Sequence, residues 1–266
     1  MILRSIIAAA ILAAVTAHAQ RPFGYGISQT EQVTRGLVSY WAMRTSGTTV
    51  YDEIGANNLT AVNGVLFGSD YGVVADGGRY DRSNDYMYSA MQTNATALNL
   101  SSSGFSVSVW WKLDLDLDAI GEQTTANEFI ILNARQFSGY YQELWFMKLD
   151  STTAKVQFAA WNPANTTVVV NSLGANTAWN AETWYHSAVV FDGATYTHYL
   201  NGVANGSTMD GDYAATSTNF RLFVGSNGVN GWFDGNIDEV RIYNVALTAE
   251  EIHQLYRMGA TVFANR

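Results

Sequence analysis

One stretch near the C-terminus decides the fold: Gly235-Asn236-Ile237-Asp238-Glu239-Val240-Arg241-Ile242-Tyr243-Asn244. Its β-branched residues, Val240 and Ile242, alternate with polar residues, a pattern that predicts a half-buried β-strand. Because strand side chains alternate between two faces, Asp238 is predicted to share the face of Val240 and Ile242. A carboxylate buried there must be paired, hydrogen-bonded or bound to a cation. The residues alone leave two interpretations open: a cation ligand, or an acceptor of backbone N–H groups from the turn at Gly235.

The clearest alternation in the chain covers residues 105–112. Its apolar positions share one face, which is predicted to lie in the core; they are Phe105, Val107, Val109 and Trp111. Trp110 is predicted on the opposite face, next to two serines and a lysine. A large aromatic side chain there is either covered by a loop or offered to a ligand.

Short strands separated by turn signals recur along the chain, which predicts an all-β sandwich or jelly roll. The dipeptides Asp192-Gly193 and Asn201-Gly202 are hairpin turn signals. The other predicted strands cover 36–43, 129–132, 143–149, 155–161, 166–171, 184–191, 196–200 and 220–225. One helix is predicted over 248–259, where Thr248 and Glu251 form a capping box. This short C-terminal helix is expected to pack over an end of the sandwich.

The first 19 residues have the pattern of a secretory signal peptide. A basic start at Arg4 and a short apolar run precede Ala17-His18-Ala19, so cleavage is predicted after Ala19, with an uncleaved anchor as the alternative. Residues 20–35 are predicted to be a flexible lead, and 36–266 a single domain. No later segment is apolar for long enough to span a membrane, which predicts a soluble mature chain. The expected location is extracellular or at the cell surface, with the periplasm as an alternative.

Charge and cysteine content exclude several kinds of function. The formal net charge is −9 and there is no basic stripe, which argues against nucleic acid as a partner. The chain has no cysteine, so disulfides, thiolate chemistry and cysteine-ligated zinc are excluded. For an exported protein, the lack of disulfides favours a bacterial or phage product.

Several short sequence motifs, taken in their order along the chain, resemble the concanavalin A-like lectin/glucanase superfamily, and specifically its laminin-G-like jelly-roll branch. The resemblance is carried by Gly36-Leu37-Val38-Ser39-Tyr40-Trp41, Asn84-Asp85-Tyr86-Met87, residues 105–112, Thr183-Trp184-Tyr185-His186, Tyr199-Leu200-Asn201-Gly202, residues 235–244 and the capped helix. It implies an all-β, two-sheet antiparallel jelly-roll sandwich, which binds ligands on a concave face or on loops at its rim.

The resemblance also implies a structural calcium ion at Asp238, because related glucanases bind calcium through the aspartate of a similar strand. Backbone carbonyls and waters would complete the shell of oxygen ligands. Asp52 is a second candidate ligand, although an Asx-turn explains it equally well. The chain departs from the family at Met43-Arg44-Thr45, where many relatives have an acidic pair.

Catalysis has no support in the sequence. Glycosidases need two carboxylates flanking the scissile bond, and the family's Glu-x-Asp-x-x-Glu pattern is missing. The Tyr/His pair with Arg and Gln that lyases on similar jelly rolls use is missing as well. His198 and Tyr199 are adjacent, so they are predicted to point to opposite faces of a strand.

The sequence therefore favours a secreted, non-catalytic carbohydrate-binding domain, lectin-like, whose partner is a glycan or polysaccharide. Sugars stack on aromatic rings while polar side chains bind the hydroxyl groups. The candidate sugar-binding residues are Trp110, Trp145, Trp161, Tyr140 and Tyr141. The alternative for each is packing under a loop or against the helix. Two further hypotheses are a structural or adhesive module that contacts surface or virion proteins, and a divergent polysaccharide-cleaving enzyme.

Overall fold

The computed structural model describes residues 33–92, 98, 100, 102–118, 129–136, 142–150, 153–161, 168–206 and 219–263. The predicted signal peptide and most of the predicted lead lie outside these residues. Within them, no helix is both long and apolar enough to cross a membrane.

Two large antiparallel sheets form the molecule, with strands numbered β1 to β19 in chain order. The eight-stranded sheet has the order β17-β16-β15-β8-β19-β6-β5, and β1 also pairs with β19. Its strands are β1 (Leu37–Trp41), β5 (Leu66–Gly68), β6 (Gly77–Asp81), β8 (Phe105–Leu113), β15 (Tyr185–Phe191), β16 (Tyr196–Leu200), β17 (Val203–Ala204) and β19 (Asp234–Tyr243).

The nine-stranded sheet has the order β13-β12-β11-β10-β18-β7-β4-β3-β2. Its strands are β2 (Thr45–Ser46), β3 (Thr49–Val50), β4 (Leu59–Val62), β7 (Tyr86–Ser89), β10 (Phe129–Gln136), β11 (Gln142–Leu149), β12 (Val156–Trp161), β13 (Val168–Leu173) and β18 (Phe220–Val224). A small separate sheet pairs β9 (Leu117–Asp118) with β14 (Ala178–Trp179). The predicted all-β architecture of two antiparallel sheets is confirmed.

The main core lies between the two large sheets. The predicted inward face of β8 is confirmed: Phe105, Val107, Val109 and Trp111 are all fully buried in it. Phe105 contacts Phe158 of the opposite sheet, with 5.7 Å between ring centroids. Burying each such side chain stabilises the fold by about 1.5–3 kcal/mol.

A β-bulge in β19 overturns the predicted position of Asp238. Asp238 pairs with Trp110 of β8, and the register then shifts by one extra residue before Arg241. Glu239 lies in this bulge with a φ of 54°. The extra residue breaks the two-residue period, so Val240 faces the core while Asp238 points to the outer face of the eight-stranded sheet, beside Trp110.

The C-terminal helix α1 (Ala249–Phe263) covers that outer face. Its predicted capping box is present: Thr248 Oγ1 accepts the Glu251 N–H at 3.2 Å, and Glu251 Oε2 accepts the Thr248 N–H at 2.7 Å. The apolar stripe of α1 packs on outward-facing residues of β15 and β19; the buried members of this second core are Val33, Ala188, Val190, Tyr243, Leu247, Ile252, Leu255 and Met258.

Candidate functional site

The C-terminal helix and a loop cover the outer face of the eight-stranded sheet around Trp110, and the indole is buried there. This indole is 3% exposed and lies stacked on Tyr256 of α1, with 5.6 Å between ring centroids and 16° between ring planes. Val73 and Val74 pack on it from a neighbouring loop. The strand phase predicted for Trp110 is right, but its assignment to sugar binding is wrong, because helix and loop together cover the ring.

Trp145 is also wrong as a sugar-binding residue. It is 1% exposed in the main core and stacks on Phe158, with 6.0 Å between ring centroids. The phase of β11 turns Trp145 inward together with Met147 and Leu149, while Phe146 and Lys148 point outward. Trp161 lies in β12, but its side chain is outside the described residues, as are Tyr140 and Tyr141 entirely.

Asp238 is surrounded by hydrogen-bond donors. Its Oδ2 accepts the N–H groups of Val73 at 2.9 Å and Val74 at 3.3 Å, and its Oδ1 accepts that of Glu239 at 2.7 Å. Burial and the charge of Glu239 raise the pKa of Asp238 above its ordinary value, against these backbone bonds. Calcium needs several oxygen ligands directed at one point, whereas here the positive ends of N–H dipoles face the carboxylate. This arrangement does not fit a calcium ligand, and it matches the hydrogen-bonded interpretation, with donors from residues 73–74 and 239.

Asp52, the second candidate ligand, fills the Asx-turn role in the same way. Its Oδ1 accepts the N–H groups of Tyr40 at 3.0 Å and Ile54 at 3.1 Å, and its Oδ2 accepts that of Asn57 at 3.2 Å. Among the described residues, no three His, Cys, Asp or Glu side chains are grouped to hold a metal ion. Asp52 therefore fastens the loop after β3 to β1.

A buried charged cluster beside Asp238 was not foreseen from the sequence. Glu239 forms an ion pair with Arg241, and the Tyr40 hydroxyl donates to Glu239 Oε1 at 2.6 Å. The Arg241 guanidinium lies 4.0 Å from the centroid of the Tyr40 ring. Burial lowers the pKa of Arg241, but the charge and hydrogen bond of Glu239, together with Tyr40 and Tyr243, raise it above its ordinary value. The polar pattern of this stretch predicts solvent exposure, and only the bulge and the covering elements bury it.

The outer face of the nine-stranded sheet, which we call the open face, has no helix of the described residues packed on it. One row of side chains lies on it at neighbouring register positions: Tyr88 of β7, Phe223 of β18, Asn133 of β10 and Phe146 of β11. Tyr88 is partly exposed, whereas the other three are buried. Adjacent strands lie about 4.8 Å apart, so the row extends for roughly 15 Å.

Four aromatic rings form a continuous patch at one side of the open face, which we call the aromatic platform. It consists of Tyr86, Tyr88, Phe223 and Trp232. Tyr86 is central, with ring centroids 6.1 Å from Tyr88, 5.9 Å from Phe223 and 5.9 Å from Trp232. The planes are tilted by only 33° to 43°. Tyr86, Tyr88 and Trp232 are each partly exposed, so the platform presents ring surface to solvent.

Polar groups lie next to the platform. Asn133 donates from Nδ2 to Glu143 Oε1 at 3.2 Å, and Asn227 Nδ2 approaches the same oxygen at 3.4 Å. Asn133 Oδ1 is buried and accepts no hydrogen bond in the described part of the chain. An unpaired buried acceptor costs free energy that a donor from a ligand or a water molecule would recover.

The loop between β18 and β19 holds these groups in place. Asn227 Oδ1 accepts the N–H groups of Val229 at 3.0 Å and Asn230 at 2.9 Å, and Ser226 Oγ donates to the Asn230 carbonyl at 3.0 Å. Arg135 donates from Nη1 to the Asn227 carbonyl at 2.9 Å. The loop is thus fixed to the open face before any ligand arrives.

Sequence reasoning missed the aromatic platform, although one signal was present. Tyr86 and Tyr88 alternate with Met87, which is fully buried, so the two tyrosines had to share the outer face of their strand. Trp232 turns outward onto Tyr86, whereas its neighbour Phe233 is fully buried in the main core.

Comparisons with known proteins agree with this architecture. A laminin-G family model, described as the concanavalin A-like lectin/glucanases superfamily, matches residues 83–253, more than half of the chain. Trypanosoma rangeli sialidase is similar over 98% of this chain and 40% of its own, at 12% identity and a TM-score of 0.62. No curated protein matches the chain.

Two toxin domains are similar as well. The match to the botulinum neurotoxin serotype G binding domain covers 85% of this chain and 51% of the toxin structure, at 14% identity and a TM-score of 0.60. The match to the binding domain of Paraclostridial Mosquitocidal Protein 1 covers 84% of this chain and 52% of that structure, at 15% identity and a TM-score of 0.56. The chain spans about half or less of the length of these three structures, and at such identities the likeness shows the fold alone.

Proposed function

The chain belongs to the concanavalin A-like lectin/glucanase superfamily, and on that premise we propose that it binds carbohydrate on the open face. The observation that carries this proposal is the aromatic platform, in which the partly exposed ring of Tyr86 contacts the partly exposed rings of Tyr88 and Trp232 and the buried ring of Phe223. Pyranose rings have apolar faces of C–H groups that stack on such surfaces.

The position of the other candidate surface supports the choice of the open face. Tyr256 and the loop at Val73 and Val74 bury the indole of Trp110 on the outer side of the eight-stranded sheet, so Trp110 offers no comparable ring surface. The open face instead places aromatic rings near Glu143, which is partly exposed and is a residue type that binds sugar hydroxyl groups, while Asn133 is buried and donates to it. The braced loop at Asn227 reduces the ordering cost of binding.

Export is part of the proposal. The signal-peptide pattern of residues 1–19 supports secretion, so the glycan would be extracellular or on a cell surface, with the periplasm as the alternative. Intact mass of the protein recovered from the medium or periplasm tests this, because cleavage after Ala19 leaves Gln20 as the first residue. Recovery of only the full-length chain with the cells would contradict it.

A protein-binding, adhesive role is the second candidate function. It is favoured by Val229, which is 58% exposed at the tip of the braced loop near the aromatic platform. The similar toxin structures are themselves binding domains. Binding of surface proteins stripped of glycans, with no binding of free polysaccharides, would favour this candidate over carbohydrate binding.

The proposal is tested by affinity electrophoresis through gels that contain a panel of polysaccharides. Retardation of the parent by one or more of them is expected. Trp232→Ala removes a ring from the platform, and we expect it to weaken binding about tenfold. This loss corresponds to the free energy of about one or two stacking contacts. Trp184→Ala is the matched control, because Trp184 is also partly exposed but belongs to the side of the eight-stranded sheet. Equal retardation of both variants and the parent would remove the platform from the proposal.

A further inference from the structure

A β-bulge turns the side chain of Glu143 onto the open face. In β11, Trp145 pairs with Ala134 of β10, and the next pair is Glu143 with Arg135. Leu144 is therefore an extra residue in β11, and it faces the main core together with Trp145. Without the bulge, Glu143 would share the inward face of Trp145, because side chains alternate along a strand. The extra residue directs Glu143 outward, which is how bulges re-aim side chains next to functional sites.

Two amide groups from different elements hold the carboxylate of Glu143. Its Oε1 accepts from Asn133 Nδ2 of β10 at 3.2 Å and from Asn227 Nδ2 of the loop after β18 at 3.4 Å. Both asparagines are buried, whereas Glu143 is partly exposed. A side chain held in this way loses less conformational freedom when a ligand binds to it.

About half of the acceptor capacity of this carboxylate is unused. An ionised carboxylate has about four lone-pair sites on its two oxygens. The two asparagines occupy sites on Oε1, and among the described residues no donor contacts Oε2. About two sites therefore remain for donors from solvent or from a ligand. Hydroxyl groups are the donors that a carbohydrate supplies.

The carboxylate lies beside the aromatic platform. Asn133, which donates to Glu143, is the register partner of Phe223, a member of the platform. The Cβ atoms of such partners are about 4.5–5.5 Å apart. Asn227, the second donor, belongs to the same loop as Trp232. A sugar chain that stacks on the platform can therefore reach Glu143 with the stacked unit or with the next unit along the chain.

We propose that Glu143 is the residue that selects the glycan on the open face, by accepting hydrogen bonds from two adjacent free hydroxyl groups of one sugar unit. The ligand class is a polysaccharide whose sugar units keep such a hydroxyl pair unsubstituted. Hydrogen bonds to an ionised acceptor are roughly twice as strong as those between neutral groups, so this contact contributes strongly to the choice of ligand. The inference rests on the proposed carbohydrate binding and adds the chemistry that selects the sugar.

The first test blocks the hydroxyl donors of the ligand. A mixed-linkage β-glucan, a galactomannan, an arabinoxylan and a pectic galactan are each compared with their O-methylated form by titration calorimetry. For each polymer that binds the parent, we expect methylation to weaken binding at least tenfold, because a methyl ether cannot donate a hydrogen bond. Equal affinity for the free and methylated forms would overturn the inference.

The second test changes the acceptor and separates this contact from hindrance by the methyl groups. Glu143→Gln keeps an oxygen for the two asparagines, but it removes the charge and places an amide donor where Oε2 was. We expect this variant to bind the free polymer about tenfold more weakly and the methylated polymer as the parent does. Glu250→Gln is the matched control, since Glu250 is exposed on α1, away from the open face. Thermal melting curves check that each variant is folded.

The outcomes distinguish this inference from the function on which it rests. An equal loss of affinity for both polymer forms in Glu143→Gln would show that Glu143 only braces the loop, and would overturn the inference. Parent-like binding by Glu143→Gln, together with weakened binding by Trp232→Ala, would overturn it as well and leave the proposed function intact. Failure of every polysaccharide to bind the parent would overturn both.

Discussion

Trp110 and Tyr256 stack ring against ring, with 16° between their planes, and this contact joins the C-terminal helix to the eight-stranded sheet. It explains why a tryptophan on the outer side of a strand is not a ligand contact. The same covering layer leaves the nine-stranded sheet as the one of the two whose outer face, in the described part of the chain, has no helix across it.

The fit between α1 and Trp110 predicts an unusual effect of a glycine substitution. Alanine normally stabilises a helix by about 1 kcal/mol relative to glycine. At Gly259, however, a Cβ would lie 2.6–2.7 Å from three atoms of the Trp110 indole. We expect Gly259→Ala to lower the free energy of unfolding by about 1–3 kcal/mol, measured by urea denaturation. Gln254→Ala, on the exposed side of α1, is the control and should change stability little. A stabilised Gly259→Ala variant would show that the helix is not seated as described.

The buried ion pair of Glu239 and Arg241 predicts a large loss of stability when one partner is neutralised. Glu239→Gln leaves a buried guanidinium without its counter-ion, and such a change costs about 3–5 kcal/mol. The comparison is Glu53→Gln, which breaks the more exposed Arg44–Glu53 pair and should cost below about 1 kcal/mol. Similar values for the two variants in chemical denaturation would contradict the burial of this pair.

His186 predicts a sensitivity to acid. Its Nε2 lies 2.8 Å from Ser108 Oγ, and burial, assisted by the charge of Arg241, lowers the pKa of His186 to about 3. Because His186 stays neutral in the folded state, it contributes to the free energy of unfolding. This contribution is fully present above the unfolded pKa of about 6.5 and is lost as the pH falls toward 3. Between pH 7.5 and 4.5 the parent should lose about 3 kcal/mol more stability than His186→Asn. Parallel pH profiles for the two proteins would argue against a neutral, buried histidine.

The hydrogen bonds of Asp238 predict no stabilisation by calcium. Its oxygens accept backbone N–H groups of Val73, Val74 and Glu239, so calcium and chelator should give the same melting temperature. Asp238→Asn should still destabilise the fold, by about 1–3 kcal/mol, because its amide group turns a donor toward these N–H groups. A rise of several degrees with calcium that is lost in Asp238→Asn would restore the metal site expected from the family resemblance.

The sequence was sufficient for the architecture but not for the site, and particular residues show why. The alternation over 105–112 set the inward face of β8 correctly, and Thr248 with Glu251 marked the start of the helix. Both are local signals, in which the residues that matter are neighbours in the chain.

The errors have a different origin. The bulge at Glu239 is one inserted residue, and it moved Asp238 to the opposite face. Trp145 was misplaced because the sequence does not tell which side of β11 faces the other sheet. The aromatic platform joins β7 to β18 and the loop after β18, which lie more than 130 residues later in the chain, and strand order brings them together.

The central claim is that a glycan lies on the open face against the aromatic platform. Hydroxyl-radical footprinting of the protein, free and saturated with a polysaccharide that binds it, measures this at the level of single side chains. Protection of Tyr86, Tyr88 and Trp232, with Trp184 and Tyr199 of the opposite sheet unchanged, is the expected result. Unchanged labelling of the platform under saturating polysaccharide, with protection elsewhere, would contradict the claim.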